Sequence, residues 1–135
     1  MNNLWFNLHS DDLERSKVFY KAIGFEIMER PEQEGIMFGI KAEKGSPIMV
    51  VASQQFEKYI HRVPHGNDAL ISLSTDTHEE ADALAKEVQK AGGKVIDQPK
   101  TRNGFYGFTF EDIDGHFFNI CLLYTSDAAD DSLRV

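Results

Sequence analysis

Five histidines are the side chains of this 135-residue chain best suited to proton transfer or metal ligation near neutral pH. His9 lies in a strand-like run with the same parity as Trp5 and Asn7, where it is a candidate general base or hydrogen-bond partner for a ligand. A solvated strand end is the plainer reading of the same residue. His61 and His65 stand four residues apart, but Pro64 and Gly66 discourage the helix that would bring them onto one face, so both are read as surface residues. His116 alternates with Phe117 and is expected to face outward. Asp114-Gly115 reads as a turn device rather than a catalytic carboxylate. Gly104 and Gly107 flank aromatic residues and open no helix, and the chain carries neither a G-x-S-x-G elbow nor a reactive-cysteine context. Nucleotide binding through a glycine loop and covalent catalysis therefore find no support.

These residues sit in a chain of one-domain length whose 41% apolar content is enough for a real core. The formal charge of −8, with 14 Lys and Arg, argues against a nucleic-acid surface and leaves a cationic or neutral small ligand easier to accommodate. No apolar run approaches the roughly 20 residues of a membrane span, and Met1-Asn2-Asn3 lacks the features of a signal peptide. The expected location is the cytoplasm, without membrane association. The lone Cys121 cannot form an intramolecular disulfide. The run CLLYTSDAADD from Cys121 to Asp131 resembles the in-frame translation of a transposase-based sequencing adaptor. The expected domain is therefore 1–120, with 121–135 a non-native tail; a genuine flexible tail is the alternative.

Leu4–His9 has strand spacing, and Asp11-Asp12-Leu13-Glu14 offers a capping aspartate with a glutamate three residues on, so a helix is predicted over about Asp12–Ile23 with Gly24 ending it. Strands are expected from Phe25, over Ile36–Lys41 and over Ile48–Ala52, the last two separated by the turn signal Lys44-Gly45-Ser46-Pro47. The second half repeats the plan. Ala69–Ser74 reads as a strand, and Thr77 with Glu80 caps a helix carrying the apolar stripe Ala81, Leu84, Ala85 and Val88, which Gly92-Gly93 ends. Strands follow at Lys94–Asp97, Phe105–Phe110 and His116–Ile120, and Ile113-Asp114-Gly115 turns the last hairpin. The fold class is α+β: two βαβββ modules, about 4–53 and 69–120, paired into a curved mixed sheet around a cavity, with Gln54–Asp68 as linker.

The opening NLHSDDLERSKVFYKAIGFEI, the helix end AGGKVIDQP and the hairpin GFYGFTFEDIDGHFFNI resemble, in this order and spacing, the vicinal oxygen chelate superfamily, which includes glyoxalase I, bleomycin-resistance proteins and extradiol dioxygenases. The resemblance covers Leu4 to Ile120. It implies four metal-ligand positions, on the first and last strand of each module, and these fall on Trp5, Met49, Leu70 and Asn119. The internal repeat agrees, since an offset of 65 carries Trp5 onto Leu70 and an offset of 70 carries Met49 onto Asn119. Indole and leucine offer no lone pair, a thioether is soft and a carboxamide weak, so a site for Zn, Ni, Mn or Fe(II) is not expected there, nor any other cofactor.

If Trp5 faces the cavity, Asn7 and His9 do so too, with Ser72 and Asn119 as further inward polar positions. Burying these without partners would cost roughly 1–3 kcal/mol each, so the cavity is wet or the groups pair with one another. Trp5, Met49, Val51, Leu70, Phe108 and Phe117 would add an apolar, partly aromatic wall suited to a planar organic molecule, plain core packing being the alternative. The expected function is metal-free binding of an aromatic or cationic small molecule by a homodimer. A glyoxalase-like lyase or isomerase, using His9 as base or an atypical metal site, is the competing enzyme reading.

Overall fold

The computed structural model describes residues 1–66 and 68–122. The chain divides into two compact units at Asp68/Ala69, and each holds one of the two βαβββ modules.

The first unit runs β1 (Phe6–Ser10), α1 (Leu13–Ala22), β2 (Glu26–Met28), β3 (Met37–Lys41), β4 (Ile48–Ala52) and α2 (Ser53–Ile60). Its four-stranded sheet has the order β1-β4-β3-β2, with β1 parallel to β4 and the other pairs antiparallel. Cross-strand partners share a face. One face carries Leu8, Val50 and Phe38 in one row and Ile48 and Ile40 in the next, all buried. Phe19 and Tyr20 of α1 complete this core, and Lys17 of the same helix lies over the Phe38 ring, 5.9 Å from its centroid. The opposite face carries Asn7, Met49 and Gly39, then His9, Val51 and Met37.

Helix α1 starts one residue later than its sequence suggests. Asp12, not Asp11, is the capping residue and accepts from the Arg15 N–H at 3.1 Å. Glu14 then falls in the first turn and pairs with Lys17 at 3.0 Å instead of reaching back. The buried Ser10 and Ser16 hydroxyls, 2.5 Å apart, tie the end of β1 to the helix. Gly24 ends α1 at φ +112°, a conformation that a side chain would strain.

Helix α2 occupies the start of the expected linker. Its N-cap position is Ala52, which has no side-chain acceptor, so the usual start signal is missing from the sequence. Asp11, freed from capping α1, accepts instead from the Ser53 hydroxyl at 2.5 Å.

The second unit runs β5 (Leu70–Thr75), α3 (His78–Lys90), β6 (Lys94–Arg102), β7 (Phe105–Glu111) and β8 (Phe117–Leu122), in the sheet order β5-β8-β7-β6. It repeats the topology of the first sheet, with β5 parallel to β8. Thr77 caps α3 by accepting from the Glu80 N–H at 3.0 Å, and Ala81, Ala85 and Val88 are buried as the apolar stripe requires. Phe108, Phe110, Phe118 and Ile120 form the core beneath, with Phe110 stacked on Phe118 at 5.1 Å between ring centroids.

Strand β6 continues to Arg102, past the expected stop at Asp97. It is an edge strand whose register shifts between Val95 and Asp97 and again before Lys100, which accommodates Pro99 without a ladder hydrogen bond. His116, expected to face outward, is buried, because the last hairpin folds back on Asp112. Its carboxylate accepts from the N–H groups of Asp114 at 2.9 Å and His116 at 2.8 Å. Strand β8 extends two residues beyond Ile120, and Leu122 is buried; the rest of the expected tail, 123–135, lies outside the described residues. No helix of the described residues is long and apolar enough to cross a membrane.

Candidate functional site

The second sheet has a helix-covered face and an open one, and the ladder decides which residues belong to each. Ser72 pairs with Asn119, Asn119 with Thr109, Leu70 with Phe117, and Ser74 with Cys121, so these side chains share the open face. Phe105 and Arg102 are partners at the far end of β6 and β7 and lie on that face too. A groove of about 550 Å³ runs over it, lined by Leu70, Ser72, Ser74, Arg102, Phe105, Thr109 and Asn119 among others. This is the size range of small-molecule sites.

Arg102 dominates the electrostatics of the groove. Among the described residues that line it, Arg102 is the single charged side chain. Its Nη1 pairs with Asp97 at 3.0 Å, and Nη2 donates at longer range to Thr109 Oγ1 at 3.4 Å and Asn119 Oδ1 at 3.5 Å. Gly107 shapes the floor. A Cβ there would stand 1.9 Å from the Ile120 carbonyl oxygen, so the close approach of β7 and β8 excludes any side chain.

On the other face, Tyr106 donates to Asp82 of α3 at 2.5 Å and stacks on His78, 4.0 Å between ring centroids. The hydrogen bond to Asp82 holds the Tyr106 phenol above its ordinary value, with smaller contributions from burial and the nearby acidic charges. This contact anchors α3.

The expected site residues divide accordingly. Leu70, Ser72 and Asn119 line the groove, and Phe117 shares their face beside Leu70. Phe108 does not: it pairs with Ile120, stacks on Phe110 at 5.8 Å and is fully buried on the helix-covered face. The run Phe105-Tyr106-Gly107-Phe108 alternates faces, so the wall aromatic is Phe105. Arg102, Phe105 and Thr109 were missed because the sequence does not show where β6 ends or which β7 parity meets the helix. The signal available was the pair of bulky Phe108 and Phe110, which marks the core parity.

In the first unit, Asn7, His9, Met49 and Val51 do share one face, as expected. Gly39 leaves space there that thioethers fill, since a Cβ on it would lie 3.4 Å from Met49 Sδ and 3.6 Å from Met28 Sδ. His9 and Val51 are not open wall residues, however. Both are buried where α2 packs on β1 and β4, with the Phe56 ring edge-on to His9 at 6.0 Å. Trp5, expected on the cavity wall, is 54% exposed and stands one residue before the β1–β4 ladder, which begins at Phe6. Leu70, at the start of an edge strand, is 59% exposed.

Residues 3–40 match a family described as bleomycin resistance protein-like N-terminal. The whole fold resembles that of a hypothetical protein from S. aureus, with 38% identity and a TM-score of 0.85 over 91% of this chain and 94% of that one. The first module thus matches the bleomycin resistance protein-like family, and the fold is that of the glyoxalase/bleomycin resistance/dioxygenase superfamily. Two further superfamily structures share the fold. A glyoxalase-related enzyme from Fulvimarina pelagi is 18% identical with a TM-score of 0.79, covering 91% of this chain and 89% of that one. A glyoxalase/bleomycin resistance protein/dioxygenase family enzyme from Burkholderia phytofirmans PsJN is 23% identical with a TM-score of 0.74, covering 89% and 97%. No curated protein matches the chain significantly.

The metal that superfamily enzymes use does not fit the positions this chain offers for it. Trp5 and Leu70 have no donor atom, Met49 offers a thioether, and the Asn119 carboxamide already faces a guanidinium. A permanently charged Arg102 repels a divalent cation at that place.

Proposed function

We propose that this protein binds a small aromatic molecule non-covalently and without a metal, in the groove over the second sheet. The observation that carries the reading is the position of Arg102, whose guanidinium stands beside Asn119 at the place where a metal ligand would be needed. The groove supports it further: Phe105 and Leu70 supply apolar surface, while Ser72, Thr109 and Asn119 supply neutral hydrogen-bonding groups. The chain's overall negative charge favours a cationic ligand at long range, but contact electrostatics outweigh it, and Arg102 disfavours a cationic group in the groove itself.

The competing lyase or isomerase reading needs His9 as a base within reach of substrate. Burial of His9 beside Phe56 counts against it. Incubating the protein with aromatic compounds while following the ligand signals by NMR tests the proposal. Saturable broadening with unchanged compounds supports binding; conversion of a compound, or one tightly held transition metal per chain, overturns it.

The working form we propose is a cytoplasmic homodimer. The exposed run Leu4-Trp5-Phe6 and the edge strands of both sheets offer surface for a second copy to cover. Sedimentation showing only monomer at tens of micromolar rejects the dimer.

A further inference from the structure

Resting on the binding reading above, we infer that Arg102 makes the groove selective for aromatic compounds bearing a carboxylate. Arginine carries its charge at every accessible pH and presents five N–H donors in a planar fork. Asp97 takes only Nη1, at 3.0 Å. Nη2 is left with two neutral acceptors, Thr109 Oγ1 and Asn119 Oδ1, at 3.4 and 3.5 Å. Those distances exceed the roughly 2.7–2.9 Å of a charge-assisted bond, so a carboxylate entering the groove gains more from Nη2 than either neutral group does.

The surroundings fit the same ligand. The hydroxyls of Ser72, Ser74 and Thr109 can rotate to donate to an anion, and no carboxylate lies among the described lining residues. Phe105, the β6–β7 partner of Arg102, sets an aromatic face beside the charge. Asp97 both holds the guanidinium and competes for it. It therefore tempers anion binding, a relation that a purely structural ion pair would not have.

Calorimetry on the full chain with three probes of one shape separates the possibilities: 2-naphthoate, 2-naphthamide and 2-naphthylmethylammonium. The naphthoate is expected to bind roughly tenfold more tightly than either other probe, the effect of one charge-assisted contact. Arg102→Met should remove this preference, so that naphthoate binds no more tightly than the amide in that variant, and Arg102→Lys should restore part of it. Asp97→Asn should tighten naphthoate binding, whereas a merely structural bridge would weaken it. Circular dichroism confirms that each variant is folded, and the gain expected of Asp97→Asn does not depend on Arg102→Met folding. Equal binding of the three probes, or a preference that survives in Arg102→Met, overturns the inference and leaves aromatic binding standing. If none of the three binds, the inference and the binding reading fall together.

Discussion

Nη2 of Arg102 stands 3.5 Å from Oδ1 of Asn119, across β7 from its own strand. A cationic side chain thus faces the residue that the superfamily pattern assigns to a metal. Protein dialysed free of loosely held ions is expected to carry less than one tenth of an equivalent of Zn, Ni, Mn or Fe by elemental analysis, about what adventitious binding leaves. Asn119→His should not change this, since one imidazole next to a guanidinium does not make a four-ligand site. A full equivalent in either protein would show that the donor-set argument is wrong.

Two buried glycines, one in each sheet, are expected to respond differently to alanine. At Gly107 the new methyl meets the Ile120 carbonyl at 1.9 Å, a backbone atom locked in the β7–β8 ladder. The cost should be about 3 kcal/mol or more. At Gly39 the neighbours are Met28 Cβ at 3.3 Å and Met49 Sδ at 3.4 Å, and thioether side chains can give way, so the cost should stay under about 1.5 kcal/mol. Urea unfolding of both variants measures the contrast, and similar losses would contradict it.

Neighbouring residues of β7 should separate stability from binding. Phe108 is fully buried in the core, and Phe108→Ala should cost about 3–5 kcal/mol. Thr109 lines the groove, so Thr109→Val should leave the melting temperature within a few degrees while altering naphthoate affinity. The assignment of faces fails if Phe108→Ala alters the order of probe affinities and Thr109→Val does not.

Alkaline titration offers a test of the α3 anchor. Tyr106 is held above its ordinary value of 10.0, chiefly by the hydrogen bond to Asp82. Lys17 is held above 10.5, chiefly by Glu29 and then Glu14. In both cases the folded state holds the proton more tightly. The stabilisation is therefore complete below the ordinary values and is lost as pH rises through the raised ones. The phenolate absorbance step missing from Tyr106→Phe should have its midpoint above the ordinary value, and Asp82→Asn should bring it back down. A midpoint at or below that value in the unaltered protein would remove the hydrogen bond from the account.

Chains ended at different points of β8 should melt differently. Leu122 is 7% exposed and pairs with Thr75. A chain ending at Leu122 is expected to melt several degrees above one ending at Ile120, because the shorter chain gives up a buried leucine worth about 2 kcal/mol or more. Equal melting would mean that the domain does end at Ile120.

The sequence by itself determined the module plan, because its signals are local. Thr77 followed by Glu80, the stripe Ala81-Ala85-Val88 and the glycines after each long helix act within a few residues, and the repeat doubles every such signal. The donor chemistry at Trp5, Met49, Leu70 and Asn119 was legible for the same reason: an indole or an isobutyl group lacks a lone pair in any fold. What only the tertiary structure decided is which neighbours each side chain meets. Helix α2 has no capping residue to announce it, so the burial of His9 and Val51 could not be read from their strands. Placement of α3 on the Tyr106 and Phe108 face turned Phe105 and Thr109 outward. The continuation of β6 beyond Pro99 brought Arg102 to Asn119 from 17 residues away. Strand parity sorts residues into two sets, but long-range packing alone chooses which set is core and which is site.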